Sequence, residues 1–127
     1  MKRNYFLVIL VIVVILAVVF VILRVKEDTW IKDSRGIWIK HGNPSETPNY
    51  ILEQQVIINC ALGKFDDFTG EIDSQCLGTC GDYAVDIVHI PRTAEDNLAE
   101  NQCADFRNGK VSHFIELDKE RNIVRIV

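Results

Sequence analysis

The chain places nineteen apolar residues in succession near its start. From Tyr5 to Leu23 the run YFLVILVIVVILAVVFVIL has no charge, no Gly, no Pro and no side-chain amide or carboxylate. At about 1.5 Å rise per residue it would form a helix about 28 Å long, close to the roughly 30 Å hydrocarbon core of a bilayer. In water so much Val and Ile favours a strand. In lipid a lone span must satisfy its own backbone hydrogen bonds, which predicts a helix. The run exceeds the roughly 7–15 residues of a signal-peptide core, and no A-x-A-like site follows Leu23, so a retained signal anchor is expected. It carries no ionisable residue, and Ala17 is its only small one. It therefore reads as an anchor, without an ion path or a small-residue packing face.

Beyond the anchor the pattern breaks into short elements. Thr29–Lys32 and Ile37–Lys40 read as strands joined by the turn residues Asp33-Ser34-Arg35-Gly36. After a loop at Gly42-Asn43-Pro44-Ser45, Thr47-Pro48 reads as a helix start, with Thr as N-cap and Pro at the first helical position. Ile51, Gln54, Ile58 and Leu62, flanked by Tyr50, Ile57 and Ala61, form one face of that helix, which should end near Leu62-Gly63. Residues 64–83 read as a long polar connection, and Tyr83–Ile90 as a strand stopped by Pro91. A second helix is expected from Thr93-Ala94-Glu95-Asp96, with Ala99, Cys103 and Phe106 on one face and Asn108-Gly109 closing it. Lys110–Leu117 and Asn122–Val127 pair as a hairpin across Asp118–Arg121. The predicted order is ββ-α-β-α-ββ, an α+β domain with two helices on a mostly antiparallel sheet. The expected organisation is an N-terminus at 1–4, a transmembrane anchor at 5–23, a juxtamembrane linker at 24–28 and a domain at 29–127.

Charge narrows the partners. Net charge is −4, and because Lys2 and Arg3 precede the span, the residues after it carry −6. An acidic domain is a poor partner for phosphate backbones, so no nucleic acid is expected. Arg24 and Lys26 could attract anionic lipid, but Glu27 and Asp28 oppose them. The expected partners are the bilayer through residues 5–23 and an unknown protein or surface ligand.

The four cysteines, Cys60, Cys76, Cys80 and Cys103, all follow the span. An even set in a small domain suits an oxidising compartment, so two disulfides are expected, with three connectivities open. Charge flanking the span does not choose an orientation; the cysteines do, putting the N-terminus in the cytoplasm and the domain outside. The same cysteines permit two other readings. Together they could supply four thiolates to zinc, or Cys76, Cys80 and perhaps His89 could form a thiol site with Asp86 nearby. Against these, only one pair is closely spaced, and C-x3-C precedes a strand rather than opening a helix. His41, His89 and His113 each fall at or within a predicted strand and read as surface or hydrogen-bonded residues.

Other motifs add little. Asp66-Asp67-Phe68-Thr69-Gly70-Glu71-Ile72-Asp73 is acidic, but Phe68 occupies a position where an EF-hand needs an oxygen. Pro44 disqualifies Asn43-Pro44-Ser45 as a glycan acceptor. No nucleophile elbow or phosphate-binding glycine loop is present. Trp30 and Trp38 should pack the first hairpin, with a place at the headgroups as a second option for Trp30. The connection 64–83 and the turn Gly42–Pro48 are the candidate contact surfaces.

The basic start, the apolar helix and the cysteine-bearing head resemble type IV pilin-like subunits in general layout, which would imply assembly into a filament. Pilins carry a small residue at the cleavage point and an early Glu; Asn4-Tyr5-Phe6 departs from this, and nothing acidic precedes Glu27. Separately, GIWIKHGNPSETPNYILEQQ and CLGTCGDYAVDIVHIPRTAEDN resemble stretches of uncharacterised single-span archaeal membrane proteins, a resemblance that implies no activity. The sequence reading is thus a membrane-tethered, disulfide-stapled, non-catalytic binding or structural module without a cofactor.

Overall fold

The computed structural model describes residues 2–25 and 28–127. Met1 of the expected N-terminal segment, and Lys26 and Glu27 of the expected linker, lie outside the described residues. The chain is α+β: an apolar helix α1 (Lys2–Val25), a hairpin of β1 (Thr29–Lys32) and β2 (Trp38–His41), a long helix α2 (Asn49–Asp67), and a four-stranded sheet. The sheet is built from β3 (Gln75–Cys80), β4 (Tyr83–Ile87), β5 (His113–Leu117) and β6 (Ile123–Ile126), in that order. Its β3–β4 and β5–β6 pairs are antiparallel, and β4–β5 is parallel.

The chain divides into two compact units, one of 1–31 with 39–46, the other of 32–38 with 47–127. In the first, every residue of the 20-residue stretch Asn4–Leu23 is exposed. Elsewhere in this unit Trp30 Nε1 donates to the Glu46 carbonyl at 2.9 Å, and the Asn43 N–H donates to Asp28 Oδ1 at 3.0 Å.

In the second unit the turn at 33–37 is organised by Asp33, whose Oδ1 accepts the N–H groups of Arg35 (2.9 Å) and Ile37 (3.0 Å). Gly36 sits at φ +84°, and a Cβ there would collide with the Ile126 carbonyl, so only glycine fits. Gln54 on α2 holds the turn from one side, donating to Gly36 O and accepting from Trp38 N–H, both at 2.9 Å. The Ile126 N–H donates to Arg35 O at 2.7 Å from the other.

α2 starts at Asn49, with Pro48 in extended conformation (φ −60°, ψ 152°) as the cap residue in place of Thr47. It continues to Asp67, past the expected stop at Gly63. Its Ala61, with Ile57, Ile58, Leu62 and Phe65, packs on Val85, Ile115, Leu117 and Ile126 of the sheet. Cys80 lies in the same cluster, bridged to Cys60 of α2. Alternation along the strands sends Ala84 and Phe114 to the opposite face, where they meet Val111 and Cys103.

Two expectations within the α+β class change in detail. The connection 64–83 holds β3, which turns into β4 through Gly81-Asp82, with Gly81 at φ +59° as a two-residue hairpin requires at its first position. The expected helix over 93–108 instead breaks into 3₁₀ turns at Glu95–Asn97 and Ala99–Asn101 and a short helix α3 (Ala104–Arg107). Leu98 and Gln102 between them are extended. Side chains take over the backbone groups a helix would use: Asn101 Nδ2 donates to Glu95 O at 3.0 Å, and Asp96 caps the Thr93 N–H at 2.7 Å.

Candidate functional site

Register brings four polar residues into one row across the sheet. Cys76 on β3 pairs with Asp86 on β4, Asp86 with Glu116 on β5, and Glu116 with Arg125 on β6. The row lies on the face away from α2, because each of these positions alternates with a residue of the α2 core. The segment after β4 covers it, and Arg92, Gln102 and Phe106 close a cavity of about 160 Å³ that Asp86, Asp96, Glu116 and Arg125 also line.

Glu116 is nearly buried, its side chain 6% exposed, and it is neutralised from two sides. Arg92 donates to Oε1 at 2.7 Å, and Arg125 donates through Nε to Oε2 and through Nη2 to Oε1, both at 3.1 Å. A buried carboxylate needs such donors, since an unpaired charge would cost several kcal/mol. Arg125 also lies over the Phe114 ring, 4.9 Å from its centroid.

Asp86 has far less support. Its Oδ1 accepts the Cys103 N–H at 3.1 Å. Burial pushes this carboxyl up to about 6; the Cys103 N–H pulls it down, Glu116 pushes the same way as burial, and Arg92 opposes them. The group therefore keeps its proton to a higher pH than an ordinary carboxyl, up to about 6. Beside it, Cys76 and Cys103 form the second disulfide, with Cα atoms 4.8 Å apart. The Asp86 carboxylate and both sulfurs lie within 4.8 Å of one another.

The segment over the row is pinned by Asp96, whose side chain is fully buried. Its Oδ1 accepts the His89 N–H and meets His89 Nδ1, both at 3.0 Å, and its Oδ2 accepts the Thr93 N–H at 2.7 Å. Burial raises this carboxyl, but the N–H groups of Thr93 and His89 and the His89 ring outweigh it and hold the carboxyl down at about 2. The Asp96 hydrogen bond in turn raises His89, against a smaller opposing effect of burial and with Asp73 adding to the rise. His89 Nε2 lies 3.0 Å from Asp73 Oδ1. Asp73, His89 and Glu95 place ligand-type atoms within 4.8 Å of one another, the set among the described residues, outside the bridged cysteines, that could hold a divalent cation.

The predicted site residues separate accordingly. Cys60–Cys80 staples α2 to the sheet on one face, and Cys76–Cys103 ties β3 to the covering segment on the other. With all four sulfurs in disulfides there are no thiolates for a Cys₄ zinc site. His89 reaches Asp96 and Asp73, and Asp86 neighbours Cys103 rather than Cys80. His113 stacks on Tyr83 at 4.9 Å, and its Nδ1 lies 3.2 Å from the Val127 carbonyl oxygen. Acids of the stretch 66–73 serve as ion-pair partners, Asp66 of Arg121 and Asp73 of His89. Sequence reasoning missed Glu116, Arg92, Arg125 and Asp96. The available signal was an acid inside each of two apolar strands, AVDIV and FIEL.

A second concavity, about 710 Å³ and mostly apolar, lies along α2 between Trp38, Tyr50, Leu52, Val56 and Tyr83. Comparison of the chain with protein-family models, with curated proteins and with solved structures finds no match. The chain is a small disulfide-bonded α+β module that follows a candidate membrane helix.

Proposed function

We propose that this chain is a single-pass membrane-tethered surface module, anchored by residues 5–23 with its N-terminus in the cytoplasm, that acts outside the membrane by binding rather than by catalysis. The observation that carries this reading is the pairing of every cysteine into a disulfide downstream of a long, uncovered apolar helix. Disulfides persist in oxidising compartments, and nineteen exposed apolar residues in water would be strongly disfavoured. The contact surface we favour is the cleft over the polar row, because its arginines and carboxylates are held in place by one another and by Asp96. Residues 64–83, an expected contact surface, hold the end of α2, an irregular stretch at 68–74, and β3.

The test uses the full chain in intact cells. A membrane-impermeant amine-reactive reagent should label Lys110 and Lys119 but not Lys2, and the chain should resist alkaline extraction from membranes. Alkylation of the denatured chain without reductant should add no mass. Release by alkali, or labelling of Lys110 only after lysis, would overturn the reading.

A further inference from the structure

We infer that the Cys76–Cys103 bridge is an exchangeable disulfide that accepts electrons from a dithiol partner, with Asp86 as the proton donor to the departing Cys103 sulfur. Cys60–Cys80 is the permanent staple. This goes beyond the tethered binding module and does not depend on which ligand the cleft takes.

The two bridges differ in what surrounds the sulfur that would leave. Each joins a more exposed cysteine to a buried one: Cys60 to Cys80, and Cys76 to Cys103. Thiolate attack on the more exposed sulfur expels the buried one. At Cys60 the leaving thiolate would form on Cys80, within the apolar cluster of Val85, Ile115 and Leu117, where an unpaired charge is costly. At Cys76 it forms on Cys103, beside the Asp86 carboxyl and the polar cavity.

A partner thiolate attacks Cys76 Sγ; the new S–S bond forms there, and the electron pair of the old bond goes to Cys103 Sγ. Asp86 in its acid form gives its proton to that sulfur, becoming a carboxylate that faces Arg92. The partner's second thiol, deprotonated, then attacks its own sulfur in the mixed disulfide and releases Cys76 as a thiolate. The partner dithiol has become a disulfide, and Cys76 and Cys103 have each gained one electron. The backbone receives both products. The Gly78 N–H already points at Cys76 Sγ from 3.3 Å, and the new Cys103 thiol can donate to Gly78 O at 3.4 Å or Val85 O at 3.5 Å. The β3–β4 register shifts between Cys76 and Gly78, where these contacts are made.

The groups facing Asp86 are Cys76 from β3, Glu116 from β5 and Arg92 and Cys103 from the covering segment, while Asp96 and Arg125 line the same cavity. Glu116 is already engaged by two arginines, which leaves Asp86 to act as the acid.

The experiment exposes the full chain in detergent micelles to dithiothreitol between pH 5 and 8, followed by acid quench, alkylation and peptide mass mapping. The expected result is that Cys76–Cys103 opens first while Cys60–Cys80 stays closed. Divided by the dithiothreitol thiolate concentration, its rate should fall by roughly tenfold per pH unit above about 6. Asp86→Asn keeps an oxygen for the Cys103 N–H and should flatten that profile and lower its acid end. Opening of Cys60–Cys80 first, simultaneous opening of both bridges, or an unchanged profile in Asp86→Asn would overturn the inference. The order of opening is read on the unmodified chain, so the test survives a variant that fails to fold.

Discussion

Truncating Asp96 tests whether one buried carboxylate holds the segment that roofs the polar row. In Asp96→Ala the N–H groups of His89 and Thr93 lose their acceptors at 3.0 and 2.7 Å. Both are partly buried, so each orphaned amide should cost about 1–2 kcal/mol, the lower part of the usual range. The total is about 2–4 kcal/mol. Asp96→Asn keeps one oxygen and should lose about half as much. Because the loss falls on one segment, the readout is hydrogen exchange of the full chain in micelles, resolved by peptide. Amides of 87–97 should exchange about 30- to 1,000-fold faster in Asp96→Ala, with α2 little changed. Protection within threefold of the parent chain would show that the segment is held by something other than Asp96, and the account of the site would be wrong.

Asp96 is held below its ordinary 3.8 and His89 above its ordinary 6.5, so the first stabilises fully above pH 3.8 and fades toward about 2, while the second stabilises fully below pH 6.5 and fades as pH rises through its raised folded value; exchange of 87–97, corrected for intrinsic rates, should be slowest between about pH 4 and 6.5. Asp86 has the opposite sign to Asp96: its raised carboxyl costs stability as pH climbs from 3.8 to about 6, so Asp86→Asn should gain about 1–2 kcal/mol in urea titrations at pH 8 and little below pH 4. Gly36→Ala puts a methyl against the Ile126 carbonyl at positive φ and should cost about 2 kcal/mol, seen as a lower Tm. Replacing Cys60 and Cys80 by Ala opens a ring of sequence separation 20, which the chain-entropy model values at about 3 kcal/mol, or a Tm drop of about 12–24 °C.

The elements with strong periodicity were legible in the sequence. The unbroken apolar run, the helical face around Ile58 and Leu62, and the final hairpin across Asp118 follow from local pattern alone. Strand β3 did not, because QCLGTC has almost no alternation and owes its place to pairing with β4 and to two bridges. The helix expected over 93–108 fails because Asp96 and Asn101 spend their side chains on nearby backbone. The polar row was out of reach for a different reason. Asp86 and Glu116 are thirty residues apart, and only the parallel register of β4 on β5 sets them side by side. Which cysteines pair was likewise a matter of faces: Cys76 and Cys80 belong to opposite sides of the sheet, so each must find a partner on its own side.

That arrangement leaves the two covalent rings overlapping rather than nested or separate. One runs from Cys60 to Cys80 and the other from Cys76 to Cys103, sharing the stretch 76–80. Any single break in the backbone between residues 60 and 103 therefore falls inside at least one ring. Irregular exposed stretches such as 68–73 and 90–95 are where a protease would cut. A nicked copy would remain one molecule, with its helix and strands still joined, and would come apart only when a reductant opened the ring that contains the cut.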